Sequence, residues 1–189
     1  MENQFYPKSQ KEWRTWLEKN HEKESKIWLV YYKKHHEKYN LSWSDAVDEA
    51  LCFGWIDSTK KTLDADRYIQ LFTKRNAKST WSKINKEKIK VLTQANKMRP
   101  AGQAIINIAK ENGNWNLLDD VENLIIPQEL KGAFAKDKTA FEFYQEQSNS
   151  TKKSILYWVI TAKRKETKLK RVTEIIERAK EGKKPKFMS

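Results

Sequence analysis

The stretch from Ala50 to Lys86 constrains the fold of this chain more than any other stretch does. It reads as the end of a helix that stops at Gly54, then two strands joined by a short turn, then a polar loop that leads into another helix. The second strand, residues 67–75, alternates between side chains of two faces, as a strand with one face on a core does. We therefore expect a β-hairpin that is covered by helices.

Patterns on either side of this hairpin complete an α+β fold. Ser9 opens a capping box before a helix that we expect to reach Asn20. Residues 25–34 are rich in β-branched and aromatic side chains, which is typical of a buried strand. The predicted fold class is α+β: a small antiparallel sheet of three to four strands packed by helices, followed by an all-helical C-terminal half. Further helices are expected near the sheet at 42–53, 82–97 and 100–113.

From residue 114 onward the sequence contains no convincing strand pattern. We expect an α+β domain over residues 1–115 and a helical module over 116–189, packed together as one unit. The tail after 182 is rich in lysine and is expected to be frayed. Within the module, a short helix or extended connector is predicted at 117–126, and helices at 127–135, 139–146, 150–163 and 166–182.

Composition excludes several classes of protein. The chain has 189 residues and one cysteine, which rules out an intramolecular disulfide framework. No apolar run approaches the roughly 20 residues that a membrane-spanning helix requires. The N-terminal residues lack the apolar centre of a signal peptide. We therefore predict a soluble, cytoplasmic protein, and the sequence does not indicate its oligomeric state.

Positive charge is concentrated in two segments of the chain. The formal net charge is +13, and residues 74–99 carry nine Lys or Arg against one Glu, while residues 151–189 carry thirteen against four. If the two segments share a face, they form a surface that attracts nucleic acid; otherwise they form a lysine-rich solubility surface. The candidate contacts to nucleic acid are Lys163, Arg164, Lys165, Lys168, Lys170 and Arg171.

Several motifs in a fixed order resemble the YdeI/OmpD-associated family. They are ALCFGWIDS at 50–58, FTKR at 72–75, WSKINKE at 81–87 and AKRKET at 162–167. The resemblance runs from about Trp13 to Pro185. It implies a bacterial α+β domain followed by a helical module, and a stress-tolerance role linked by name to bacteriocin protection. It implies no agreed catalytic residues.

The same motifs gather aromatic and cationic side chains at one end of the hairpin and at the start of the helix after it. Aromatic rings stack on planar groups, and a helix N-terminus with cationic side chains holds carboxylates or phosphates. The alternative is structural: the tryptophans fill the core, Asp57 pairs with Arg75, and Ser82 caps a helix. The candidate ligand-binding residues are Trp55, Asp57, Ser58, Phe72, Arg75, Trp81, Ser82, Lys83 and Asn85.

Other chemistry is poorly supported by the sequence. No G-x-S-x-G elbow surrounds Ser58 or Ser82, the run from Ser82 to Asn85 is not an S-x-x-K motif, and the three histidines lie far from these serines in sequence. We predict no catalytic residue, no metal site and no cofactor. The leading hypothesis is a non-enzymatic binder of an anionic small molecule in a pocket lined by Trp, Arg and Lys. The alternatives are non-specific binding of nucleic acid and an enzyme of unknown class.

Overall fold

The chain divides into two units, residues 1–116 and 117–189, and each is described by itself. A computed structural model describes residues 3–39 and 41–188. All the strands that it describes lie in the first unit, and the second unit is helical. The predicted α+β fold class, with strands before helices, is confirmed.

The first unit contains a four-stranded sheet in the order β1-β2-β4-β3. The predicted hairpin is β3 with β4, and β2 pairs with β4 on its other side; both pairings are antiparallel. The short β1 pairs in parallel with β2, so the sheet is mixed. No pattern predicted β1, because two residues are too few to alternate. The strands are β1 Gln4–Phe5, β2 Lys26–Tyr32, β3 Trp55–Thr62 and β4 Arg67–Lys74.

Four helices pack with this sheet, and the predicted caps start three of them. Ser9, Ser42 and Ser82 each accept a hydrogen bond from a backbone N–H of the first helical turn. The fourth helix instead begins with Pro100, whose missing N–H costs nothing at that position. These helices are α1 Gln10–Asn20, α2 Trp43–Cys52, α3 Lys83–Gln94 and α4 Pro100–Glu111.

Two glycines bring α4 close to the end of α2 and the start of β3. A Cβ atom on Gly102 would lie 2.2 Å from the Cys52 carbonyl oxygen, so only glycine fits where these backbones meet. Gly54 has a φ of +74°, a conformation that glycine adopts without strain, and a Cβ atom at this position would lie 3.0 Å from the Ala101 carbonyl oxygen. The first turns of α4 therefore face the hairpin end that carries Trp55.

The second unit is a set of helices around its own apolar cluster, which includes Leu130, Phe134, Leu156 and Ile175. No helix that the structure describes is long and apolar enough to cross a membrane. The helices are α5 Asp119–Glu122, α6 Gln128–Phe134, α7 Lys138–Glu146, α8 Asn149–Ile160 and α9 Lys165–Lys180, followed by a 3₁₀ turn at Lys186–Met188.

Two details of the second unit differ from the sequence predictions. Helix α8 is capped by Ser148, two residues before the predicted start, because its hydroxyl accepts from the Thr151 N–H. The tail up to Met188 is docked rather than frayed; Ser189 lies outside the described residues. The Phe187 ring centroid is 4.4 Å from that of Trp158, and the Lys186 N–H donates to a Glu174 carboxylate at 2.8 Å.

Candidate functional site

Arg75 is a cation held inside the first unit. It follows β4, and its backbone N–H donates to the Gly54 carbonyl oxygen at 2.8 Å, which extends the pairing of β4 with β3 by one bond. Its guanidinium carbon lies 3.7 Å from the centroid of the Trp81 ring, a close cation–π contact. Only 8% of the residue is exposed. Arg75 is therefore a buried charge on an aromatic platform.

Its charge is incompletely compensated. Nη2 donates to the Thr80 carbonyl oxygen at 2.5 Å, but Nε and Nη1 are buried and have no hydrogen-bond partner. Within the described residues, Arg75 forms no ion pair with a carboxylate. Burial lowers the pKa of the guanidinium to about 10, although the negative charge of Asp57 opposes this effect. Such a group is uncommon, because buried charges are usually paired.

Arg75 lines a cavity of about 340 Å³. Trp55, the first residue of β3, lies on the same side of this cavity as Arg75 and Lys74, the residues at the end of β4. One face of α4 forms an apolar wall. The α4 residues that line the cavity share the i, i+3, i+4, i+7 spacing of a single helix face: Ala101, Ala104, Ile105 and Ile108.

Two residues that follow α1 form a further part of the wall, and one of them is acidic. His21 and Glu22 line the cavity, and the Glu22 side chain is 84% exposed. The Lys74 ammonium group donates to the Glu22 carbonyl oxygen at 2.6 Å. Trp55 Nε1 donates to the His21 carbonyl oxygen at 3.3 Å. Among the lysine, arginine and acidic side chains of the lining, Lys74 and Arg75 outnumber Glu22, which gives a formal charge of +1.

The predicted aromatic residues are brought together only in part. Trp55 lines the cavity, and the Trp81 ring packs against the guanidinium group of Arg75. Both indoles are almost completely inaccessible to solvent. Phe72 is fully buried, and its ring meets that of Trp13 edge-on at 5.5 Å, so it belongs to the core.

Asp57 and Ser58 serve the sheet rather than the cavity. The Asp57 carboxylate accepts hydrogen bonds from Trp43 Nε1 at 2.9 Å and from Gln70 Nε2 at 3.1 Å. It therefore does not form the ion pair with Arg75 that the structural alternative predicted. Ser58 is exposed, and its hydroxyl makes a long contact of 3.4 Å to the Leu71 carbonyl oxygen.

The start of α3 also lies apart from the cavity. Ser82 caps this helix by accepting from the Asn85 N–H at 3.3 Å, as the structural alternative expected. Lys83 is exposed and Asn85 is half-buried, and neither lines the cavity beside Arg75. Of the predicted ligand-binding residues, Trp55 and Arg75 line the cavity, and Trp81 contacts the guanidinium group of Arg75.

Sequence reasoning predicted α4 as a helix but did not connect it with the cavity. Ala101, Ile105 and Ile108 lie about 25 to 50 residues from Trp55 and Arg75 in sequence, so local patterns do not connect them. One signal was available. Gly102 interrupts an otherwise good helix, which indicates close approach of another backbone.

The basic residues proposed for nucleic-acid binding fall into two groups. Lys168 pairs with Glu129 at 3.1 Å, and Arg171 donates to the Trp158 carbonyl oxygen at 2.5 Å. Both are therefore engaged within the second unit. In contrast, the remaining four are exposed and form no ion pair within the described residues: Lys163, Arg164, Lys165 and Lys170.

Two family models match the chain, one over its α+β unit and one over its helical unit. Residues 5–105, more than half of the chain, match a family model described as "Domain of unknown function (DUF8412)". Residues 123–182 match a second model, described as "Bacteriocin-protection, YdeI or OmpD-Associated". The chain belongs to the first family, and the second match confirms the predicted YdeI/OmpD-associated resemblance. Neither a curated protein nor a solved structure matched the chain.

Proposed function

We propose that this protein is a non-enzymatic binder of a small organic anion, which it holds in the cavity beside Arg75. Two observations carry the proposal: the guanidinium group of Arg75 is buried with two unpartnered nitrogens, and Arg75 is one of the residues that line the cavity. A carboxylate or phosphate oxygen of the ligand would accept from these nitrogens and supply the missing negative charge. Both nitrogens are shielded from solvent, so the ligand must shift side chains as it enters.

The apolar face of α4 suits the rest of such a ligand. Ile105 and Ile108 offer aliphatic contact opposite Arg75, and the first turn of α4 adds the positive end of a helix dipole at Ala101. A cavity of about 340 Å³ lies within the range of small-molecule sites. The ligand class is therefore a compact organic anion with one apolar side.

The competing role for Arg75 is purely structural, as a partner for Trp81. Stacking on the ring uses the face of the guanidinium plane and leaves the N–H donors at its edge unpaired. A structural arginine in the same unit, Arg14, is instead neutralised by the buried carboxylate of Glu49 at 2.6 Å. The absence of such a partner around Arg75, within the described residues, favours a site that receives its counter-charge from a ligand.

A thermal-shift screen of carboxylates, nucleotides and sugar phosphates tests the proposal. We expect at least one anion to raise the Tm of the wild-type protein by several degrees, which is the effect of binding at about 100 times Kd. Arg75→Met should abolish the shift, whereas Arg67→Met, at the exposed opposite end of β4, should preserve it. An identical shift in Arg75→Met, or no shift with any anion, would overturn the proposal.

The exposed run Lys163, Arg164 and Lys165 favours a second candidate, non-specific binding of nucleic acid. These consecutive cations form no ion pair within the described residues, and they lie at the start of α9. Affinity for a labelled duplex should fall steeply with salt, with about −0.9 in log–log slope for each phosphate contacted. Replacing all three by Gln should remove that dependence. A flat salt dependence in the wild-type protein rejects this candidate.

A protective role, which the description of the second family names, would act through the bound ligand. A chain of net charge +13 repels cationic peptides, so direct sequestration of such peptides is poorly matched to its charge.

A further inference from the structure

We propose a second, independent binding site in the C-terminal unit, for an amphiphilic carboxylate with an unbranched aliphatic chain. The site is a cavity of about 470 Å³ between α6, the start of α7 and the segment that follows α5. Its lining is apolar except for one lysine, and every lining residue belongs to residues 117–189.

Two phenylalanines and three aliphatic residues form the walls. Phe134 is buried, and its ring centroid lies 5.5 Å from that of Phe141. Ile125 is 51% exposed although it lines the cavity, which leaves a large aliphatic side chain in contact with water. An aliphatic ligand that covers Ile125 would remove this surface from water.

Lys131 supplies the head-group contact. It is the charged residue among those that line the cavity, and it lies on the same face of α6 as Phe134 and Ala135, three and four residues later. Its ammonium group is exposed and forms no hydrogen bond or ion pair within the described residues. One free cation at the edge of an apolar cavity is complementary to a ligand with one anionic end and an apolar body.

The backbone at Leu124 fixes this wall in an unusual conformation. Leu124 has a φ of +57°, a region that a leucine rarely occupies. The Ile125 N–H donates to the Asp120 carbonyl oxygen at 2.8 Å, and the Leu124 N–H donates to the Val121 carbonyl oxygen at 3.1 Å. These bonds turn the chain sharply after α5, so that Leu124, Ile125 and Ile126 all line the cavity.

The dimensions favour a small molecule over a protein partner. Cavities of roughly 300–1,000 Å³ are typical of small-ligand sites, and this one falls in the lower half of that range. Lys131 is the one lining residue whose side chain can donate a hydrogen bond, so the rest of the cavity suits an alkyl chain. The ligand is therefore a fatty-acid-like carboxylate, bound with its head group at Lys131.

Calorimetric titration of the full chain with octanoate, decanoate and dodecanoate tests the inference at neutral pH and below micelle formation. We expect one molecule per chain, and about a fourfold tightening of Kd for each added methylene group. Lys131→Met should weaken decanoate binding roughly fivefold to tenfold and leave binding of 1-decanol unchanged. Lys136→Met, a nearby exposed lysine that does not line the cavity, should change neither.

Three results with the wild type and the lysine variants would overturn the inference. They are the absence of saturable binding, equal binding of decanoate by wild type and Lys131→Met, and loss of binding in Lys136→Met to the same extent as in Lys131→Met. Arg75→Met serves as a cross-control. It should leave decanoate binding intact, so failure at this site is distinguishable from failure of the anion site in the first unit. If Arg75→Met abolishes decanoate binding, the fatty acid occupies the other cavity and this inference is wrong.

Discussion

The two units differ in where they keep their charges. Among the described residues, the charged side chains that are buried are Glu49, at 3% exposed, and Arg75, at 8%, and both belong to residues 1–116. In residues 117–189 the described ion pairs lie at partly or fully exposed positions, and some of them join helices, such as Lys153 with Glu122 and Lys180 with Asp137. Each unit has an apolar cluster, but among the described residues only the first unit also buries charged side chains.

The buried charges of the first unit also differ from each other. Glu49 accepts from Arg14 at 2.6 Å and from Gln10 at 2.7 Å, so its charge is neutralised and hydrogen-bonded. Arg75 has an aromatic platform and one carbonyl partner. Removing one partner of a buried pair destabilises the fold because the other charge loses its compensation, whereas a buried charge without a partner lowers stability as it stands. The comparison thus separates a charge that is paired within the fold from one that, in our proposal, is paired by a ligand.

The largest effect is expected from Glu49→Ala. Removing this carboxylate takes away the shorter ion pair of Arg14, whose side chain is 20% exposed, and leaves its 3.6 Å contact with Glu18. We expect this to lower the free energy of unfolding by about 3 kcal/mol. Urea unfolding followed by tryptophan fluorescence measures this loss, because seven of the eight tryptophans lie in residues 1–116.

Glu111→Ala, at an exposed position at the end of α4, is the matched control and should change stability very little. The double variant Arg14→Met with Glu49→Leu should recover most of the loss, since the arginine charge that lost the Glu49 carboxylate is then removed as well. A loss that persists in the double variant would show that packing, rather than charge, accounts for the effect.

A smaller effect is expected from two glycine substitutions with opposite signs. Gly102→Ala puts a Cβ against the backbone of Cys52 and should lower the free energy of unfolding by about 2 kcal/mol. Gly132→Ala in α6 meets no atom within 4 Å, so it should raise stability by about 0.5 kcal/mol through helix propensity. Circular dichroism during urea unfolding reports on both units. Equal effects at the two positions would contradict the close contact at Gly102.

The smallest loss is expected from Lys153→Met in the second unit. Lys153 and Glu122 are 2.6 Å apart, but the lysine side chain is 40% exposed, so the pair is worth about 0.5 kcal/mol at most. High salt should erase even this difference, because exposed charges are screened. Lys163→Met, an exposed lysine without an ion-pair partner within the described residues, is the control. A loss of several kcal/mol in low salt would mean that charge is as important in this unit as in the first.

The sequence predicted most of the fold because the relevant signals are local. Capping serines marked the starts of α1, α2 and α3, and alternation marked β4. The missed features depend on contacts between distant residues. The two-residue β1 exists because it pairs with β2, and the docked tail exists because Phe187 meets Trp158.

The candidate site was predictable at Arg75 and Trp55, which adjoin in the hairpin, but not beyond them. Lys83 and Asn85 follow Trp81 closely in sequence, yet the helical turn at Ser82 carries them away from the cavity. The α4 wall could be located only through tertiary packing at Gly54 and Gly102. The lowered pKa of Arg75 was not predictable from the sequence either. It falls to about 10 because the residue is buried, and burial is a property of the folded chain.

The free energy of unfolding of Arg75→Met, compared with wild type at pH 7, tests the central claim most directly. Burial lowers the pKa of Arg75 from its usual range to about 10, so the folded state disfavours the charged form. The resulting penalty is fully present below about pH 10 and declines as the pH rises above 10. We therefore predict that Arg75→Met is more stable by about 1 kcal/mol at pH 7, with a gap that narrows above pH 10. A loss of stability comparable to that of Glu49→Ala would contradict the account. Arg75 would then stabilise the fold by itself, and its charge would need no ligand as a partner.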